Sequence, residues 1–189
     1  LIAGIYDPWR TGLFAFATRI TSIPSSLVGN AIAQVYLGEM SVTVREEPAL
    51  FRPRFRAAVL KLALTTFPLA VLMGLAGPLL TVTLFGKAWR ESGLMMAALS
   101  PMVWASLVAS PLSSSLIMLG RQELQLAWDM GRCVALTVVM GAIAFGGGGL
   151  LIMTIGYSAV MILSYLMVLV VIDRVGGSYA ASRHLRRGR

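Results

Sequence analysis

Residues 133–172 form a run of forty amino acids without Asp, Glu, Lys or Arg. No water-soluble chain can easily hide that much apolar segment. A helix needs about 20 mainly apolar residues to cross the hydrocarbon core of a bilayer, so the run suffices for two crossings. Gly146–Gly149 supplies the turn between them, because glycine reaches positive φ without steric cost. Two more runs lack charge: 62–85, and 92–120, which contains Pro101 and Pro111. A fifth candidate, about 11–38, is long enough but carries Arg19, Pro24 and several amides and hydroxyls. The expected spans are therefore about 11–38, 62–85, 94–118, 130–148 and 150–172, followed by a basic tail at 173–189. The fold class is all-α, a polytopic membrane protein.

Charge supports this count. Only 13% of residues are charged and mean hydropathy is +0.79, against roughly a quarter charged in soluble domains. The net charge of +8 sits in short segments between apolar runs, a topogenic pattern that argues against nucleic acid as a partner. With five spans, Arg45, Arg52, Arg54 and Arg56 share a side with Arg121, Arg132 and the tail arginines 174, 183, 186, 187 and 189. Arg10, Lys87 and Arg90 fall on the other side. The positive-inside rule then makes 41–57, 120–132 and 173–189 cytoplasmic. Leu1 is expected outside. An outside start without a signal segment implies preceding spans, so the chain is expected to be most of the C-terminal bundle of a larger transporter.

The polar span has order. At about 100° per residue, Ser22, Ser26, Asn30 and Gln34 fall within about 60° of Arg19, and Ile20, Leu27, Val28, Ile32 and Val35 take the remaining face. A guanidinium in mid-membrane costs about 2.5–3.5 kcal/mol on the translocon scale. Two readings stand for Arg19. It lines an aqueous cavity and attracts an anion, its planar fork suiting phosphate oxygens, or it snorkels or pairs with an acid elsewhere in the chain. Asn30 and Gln34 are either cavity lining or interhelical hydrogen-bond donors. Pro68, Pro78, Pro101 and Pro111 are hinges or packing features, and Asp129 and Arg132, spaced i, i+3, read as a solvated pair at the inner mouth.

No span holds a buried acid of the kind cation-coupled transporters use. No catalytic constellation is visible, and Cys133 and His184 lack partners at metal-ligand spacing. Neither an enzyme activity nor a cofactor or metal is expected.

The segment "FAFATRITSIPSSLVGNAIAQVYLGEMS" resembles a recurring stretch of bacterial polysaccharide and O-antigen flippases, through Ala17, Arg19, Pro24, Gly29, Ala31, Ile32, Gln34 and Val35. "TLFGKAWRESG" is similar to a second family stretch, through Leu84, Phe85, Gly86, Trp89, Ser92 and Gly93. "SPLSSSLIMLGRQELQL" resembles a third. The likeness covers about residues 5–135, and the last two spans agree only in hydropathy. It implies a member of the multidrug/oligosaccharidyl-lipid/polysaccharide exporter superfamily. Such a protein turns polyprenyl-diphosphate-linked oligosaccharide across the bacterial inner membrane, with Arg19 towards the diphosphate and Ser22, Ser26, Asn30 and Gln34 as polar lining. Membrane lipids and an N-terminal half of the same chain are the implied partners. The alternatives are a drug or cation antiporter of the same superfamily, or a membrane-embedded glycosyl- or acyl-transferase.

Overall fold

A computed structural model describes residues 7–187 of the chain, including the side chains of all but 24–25 and 180–187. The expected cationic tail residues Arg183, Arg186, Arg187 and Arg189, with His184, have side chains outside the described residues.

Every long element is helical. α1 (Pro8–Glu46) starts where the Asp7 carboxylate accepts the Arg10 amide at 2.9 Å, with Pro8 in the first turn, an arrangement that satisfies one orphan donor and needs no proline N–H. It ends at Glu46, two residues before Pro48, which restricts the residue preceding it to extended conformations. A single 3-10 turn, Pro48–Leu50, leads into α2 (Phe51–Phe85). The basic segment 41–57, expected to lie between the first two spans, is thus almost wholly helical. α2 stops at Gly86, whose φ of 87° lies in the region that favours glycine. α3 (Arg90–Ser113) continues through the one-turn α4 (Ser115–Met118).

α5 (Gln122–Phe145) begins at 122 rather than near the expected 130, because Gln122–Arg132 continues the helix and leaves only a short turn after α4. The expected glycine turn follows it, with Gly147 at φ 68°. α6 (Leu150–Arg187) runs well past Ile172, so the expected tail is largely a helical extension. The helices continue through Pro68, Pro78 and Pro101 without a break.

Among the described residues four segments are long and apolar enough to cross a membrane: Pro48–Phe85, Lys87–Met118, Gln122–Phe145 and Leu150–Tyr179. α1 is longer than any of them but too polar to join the set, so the structure gives four apolar spans where five were expected. This is an all-α polytopic membrane fold. Leucines spaced along α2, including Leu64, Leu72, Leu75 and Leu79, are exposed, as a lipid-facing surface requires.

α3 is the central helix, with buried residues from Ser92 to Leu112. It packs closely on α2 at Gly93, where an added Cβ would meet Pro78 Cα at 2.7 Å. The Trp104 indole donates to the Ala63 carbonyl at 2.9 Å farther along the same interface. At one end of the bundle, Trp9, Phe16, Phe85 and Trp89 form an aromatic cluster, with Phe16 and Trp89 centroids 4.6 Å apart. At the other end Asp173 of α6 receives both Arg52 and Arg56 of α2, at 2.8 Å and 2.7 Å. Aromatic and ionic ends suit the two membrane interfaces.

Candidate functional site

α1 touches α3 at two places and parts from it between them. Near the aromatic end, the buried Ser92 hydroxyl donates to the Leu13 carbonyl at 3.0 Å. Near the ionic end, the Tyr36 and Ser115 hydroxyls share a buried hydrogen bond of 2.7 Å. Each pair is separated by 79 residues in sequence, so the two helices run parallel and in step. From Leu13 to Tyr36 α1 rises about 35 Å at 1.5 Å per residue, close to the thickness of a hydrocarbon core of about 30 Å. Between these clips no described side chain from Ser22 to Val35 is buried. The hydrophobic core divides accordingly. One cluster surrounds Ala17, Met95 and Leu99, and the other surrounds Tyr36, Phe51, Leu112 and Ile172.

The space so opened is a cavity of about 580 Å³ between α1, α3 and α6. Its lining follows helical spacing. α1 contributes Thr18, Ser22 and Ser26 at every fourth position, with Thr21, Gly29, Asn30 and Ala33 beside them. α3 and its continuation face them with Ser106, Ser110 and Ser114, also every fourth residue. α6 closes the third side with Tyr157, Met161 and Tyr165. Among the described residues that line the cavity, none is Asp, Glu, Lys or Arg.

The hydroxyls on α1 have one hydrogen already committed. Thr18 donates to Phe14 O at 2.9 Å, Ser22 to Arg19 O at 2.9 Å and Ser26 to Ile23 O at 2.9 Å, while on α3 Ser106 donates to Val103 O at 2.8 Å. A hydroxyl that donates to its own helix keeps its lone pairs. Such bonds lower the cost of polar groups in the span, and Ser110, Ser114, Tyr157 and Tyr165 add lining hydroxyls that can donate as well as accept.

Ser22, Ser26 and Asn30 of the expected polar face line the cavity. Arg19 and Gln34 do not. Both are exposed, as are Ser22, Ser26 and Asn30. The α3 and α6 walls were missed. The fourfold spacing of Ser106, Ser110 and Ser114 was a visible signal, but nothing in one sequence shows that this face meets α1.

Two charged sites lie apart from the cavity. Asp129 and Arg132 pair at 2.7 Å, with the guanidinium 4.7 Å above the Trp128 ring. Both lie inside α5, level with α6 through the Trp128 indole bond to Ser164 O at 3.0 Å, so the pair is half-buried rather than solvated. The Asp173 cluster was not foreseen at all, since its partners are more than a hundred residues away in sequence. Among the described residues no group of three or more His, Cys, Asp or Glu could hold a metal ion.

Residues 1–94 match the protein family described as polysaccharide biosynthesis protein. This part of the chain is similar to that family. The match is consistent with the flippase resemblance of the same residues and supports a role in polysaccharide synthesis or export. It spans α1, α2 and the start of α3, so it includes the α1 wall of the cavity and the aromatic cluster. No curated protein sequence and no solved structure matches the chain. Within the family segment, "TLFGKAWRESG" acquires a physical reading. Gly86 ends α2, Phe85 and Trp89 join the aromatic cluster, Ser92 makes the clip to α1, and Gly93 permits the close approach of α2 and α3.

Proposed function

We propose that this protein is part of a transporter that turns polyprenyl-diphosphate-linked oligosaccharide across the bacterial inner membrane, with its C-terminus in the cytoplasm. The observation that carries the reading is the polar cavity held open between α1, α3 and α6 inside an apolar bundle of a polysaccharide biosynthesis family. A glycan must cross the hydrocarbon core without losing its hydrogen bonds, and a hydroxyl-lined space supplies them. Transport needs no covalent chemistry, and no enzymatic step is assigned. Alternating access moves the cavity from one face to the other. The N-terminal half of the transporter supplies the opposing wall.

Arg19 stands one turn from Ser22, beside the cavity and exposed. There it takes the diphosphate, which lies between the sugar and the lipid of the substrate. A guanidinium forks two donors onto phosphate oxygens. Arg19→Ala is expected to abolish surface polysaccharide in cells while membrane abundance of the protein stays unchanged. Arg19→Lys is expected to recover only part of the export, since the point charge remains but the fork is lost. Normal polysaccharide in the Arg19→Ala strain would remove the diphosphate role.

A further inference from the structure

We infer that a crevice between α1 and α2, at the ionic end of the bundle, binds the headgroup of an aminophospholipid. The crevice has a volume of about 620 Å³ and lies where the last turns of α1 meet the early turns of α2. Glu39 and Thr43 stand on one wall, Arg54 and Lys61 on the other. No residue of its lining belongs to the cavity between α1, α3 and α6, so the site needs no assumption about a transported substrate. The three charged side chains in the lining differ in what they have left to bind. Arg54 is spent within the protein, donating to Thr43 Oγ1 at 2.6 Å and to Glu47 Oε2 at 2.6 Å. Glu39 and Lys61 are exposed, and among the described residues neither side chain forms an ion pair. The crevice therefore carries one unpaired negative and one unpaired positive charge on opposite walls.

A phosphatidylethanolamine headgroup complements that arrangement, with a phosphodiester anion and a primary ammonium joined by a short ethylene link. The Lys61 ammonium donates to the phosphate oxygens, and the Glu39 carboxylate accepts from the ammonium of the lipid. Depth agrees. Lys61 is the last charged residue of α2 before the uncharged run 62–85, and Glu39 follows the uncharged stretch 20–38 of α1. Both mark the border between hydrocarbon and headgroups, where a snorkelling lysine places its ammonium. Met40, Val42, Ala57 and Ala58 give the crevice apolar surface, and the exposed Leu60 and Leu64 flank Lys61. The acyl chains of a lipid held by its headgroup then lie along α2. Phosphatidylglycerol, a phosphate without a cation, satisfies Lys61 but is repelled by Glu39. Phosphatidylcholine has the cation but no N–H to donate.

The test is native mass spectrometry of the delipidated full-length protein in detergent, titrated separately with dioleoyl phosphatidylethanolamine, phosphatidylglycerol and phosphatidylcholine. The first is expected to bind about fivefold more tightly than the other two, the upper worth of one exposed ion pair. Glu39→Gln is expected to erase that preference while phosphatidylglycerol binds as well as before or better. Lys61→Gln is expected to weaken phosphatidylethanolamine and phosphatidylglycerol alike. Both side chains are exposed, so each variant is expected to keep the unfolding temperature of the unmodified protein when no lipid is added. Tighter binding of phosphatidylglycerol than of phosphatidylethanolamine by the unmodified protein marks a general basic patch and overturns the assignment. A preference that survives Glu39→Gln overturns it as well. So does an absence of bound lipid, the result expected if another part of the full-length chain covers the crevice.

Discussion

Tyr36 shows how one hydroxyl can hold a membrane helix in place. Its ring is buried in the core at the ionic end, and its hydroxyl meets the fully buried Ser115 at 2.7 Å. Removing one partner leaves the other unsatisfied, which costs about 1–3 kcal/mol. Tyr36→Phe is expected to destabilise the full-length protein in detergent by an amount in that range, read as a lower unfolding temperature. Adding Ser115→Ala to the same variant should restore much of the loss, because neither buried group then lacks a partner. A double variant as unstable as the sum of the singles would show that the hydrogen bond is not the cause. Arg19 follows a different logic. Its polar contacts are left open to the exterior of the described bundle, so its substitution is expected to act on transport and not on stability.

At the scale of the helix pair, α2 and α3 depend on the absence of a side chain at Gly93. A Cβ there would come within 2.7 Å of the Pro78 backbone and also against Thr81. Backbone cannot rotate away, so the helices must separate. Gly93→Ala is expected to destabilise the full-length protein by about 1–3 kcal/mol, the usual cost of overpacking. Gly74→Ala is the useful comparison, since its Cβ would meet only the Ser100 hydroxyl, at 2.7 Å, and a hydroxyl can turn aside. Thermal unfolding of both variants checks the order, and an equal loss for the two would contradict the backbone argument. The same interface anchors the wall of the cavity formed by α3, so the Gly93 variant should also lose translocation in proportion to its folded fraction.

The whole bundle has one aromatic end and one cationic end, and the long helices alternate in direction between them. Asp173 joins Arg52 and Arg56 although it lies over a hundred residues away, which puts the α1–α2 turn and the end of the apolar part of α6 at the same membrane face. Arg45, Arg54 and Arg121 share that end by connectivity. The orientation proposed above, which follows the positive-inside rule, puts this face in the cytoplasm. In a Cys133→Ser background, a cysteine at Gly149 is expected to react with a membrane-impermeant maleimide from outside the cell. A cysteine at Arg121 should stay unlabelled until the membrane is opened. The reverse pattern would invert the assigned orientation.

Much of the fold was legible because hydropathy and charge act locally. The forty-residue run at 133–172, the uncharged stretches at 62–85 and 92–120, and the glycine turn at 146–149 all became helices or turns where the sequence placed them. The helices run beyond the expected spans through much of 41–57, 122–129 and 173–187. Polarity there marked the end of the apolar part of a helix, yet a helix can continue into water once its ends are clipped to neighbours, as Arg52 and Arg56 do at Asp173. The site divided in the same manner. By itself the sequence determined that α1 has a polar stripe through Ser22, Ser26 and Asn30, since periodicity along one helix is fixed by its own geometry. Only the tertiary structure decided what that stripe faces, leaving Arg19 outside the lining and bringing in Ser106, Ser110, Tyr157 and Tyr165. That choice depends on how α1 is rotated against α3, and its two clips at Leu13–Ser92 and Tyr36–Ser115 join residues far apart in the chain.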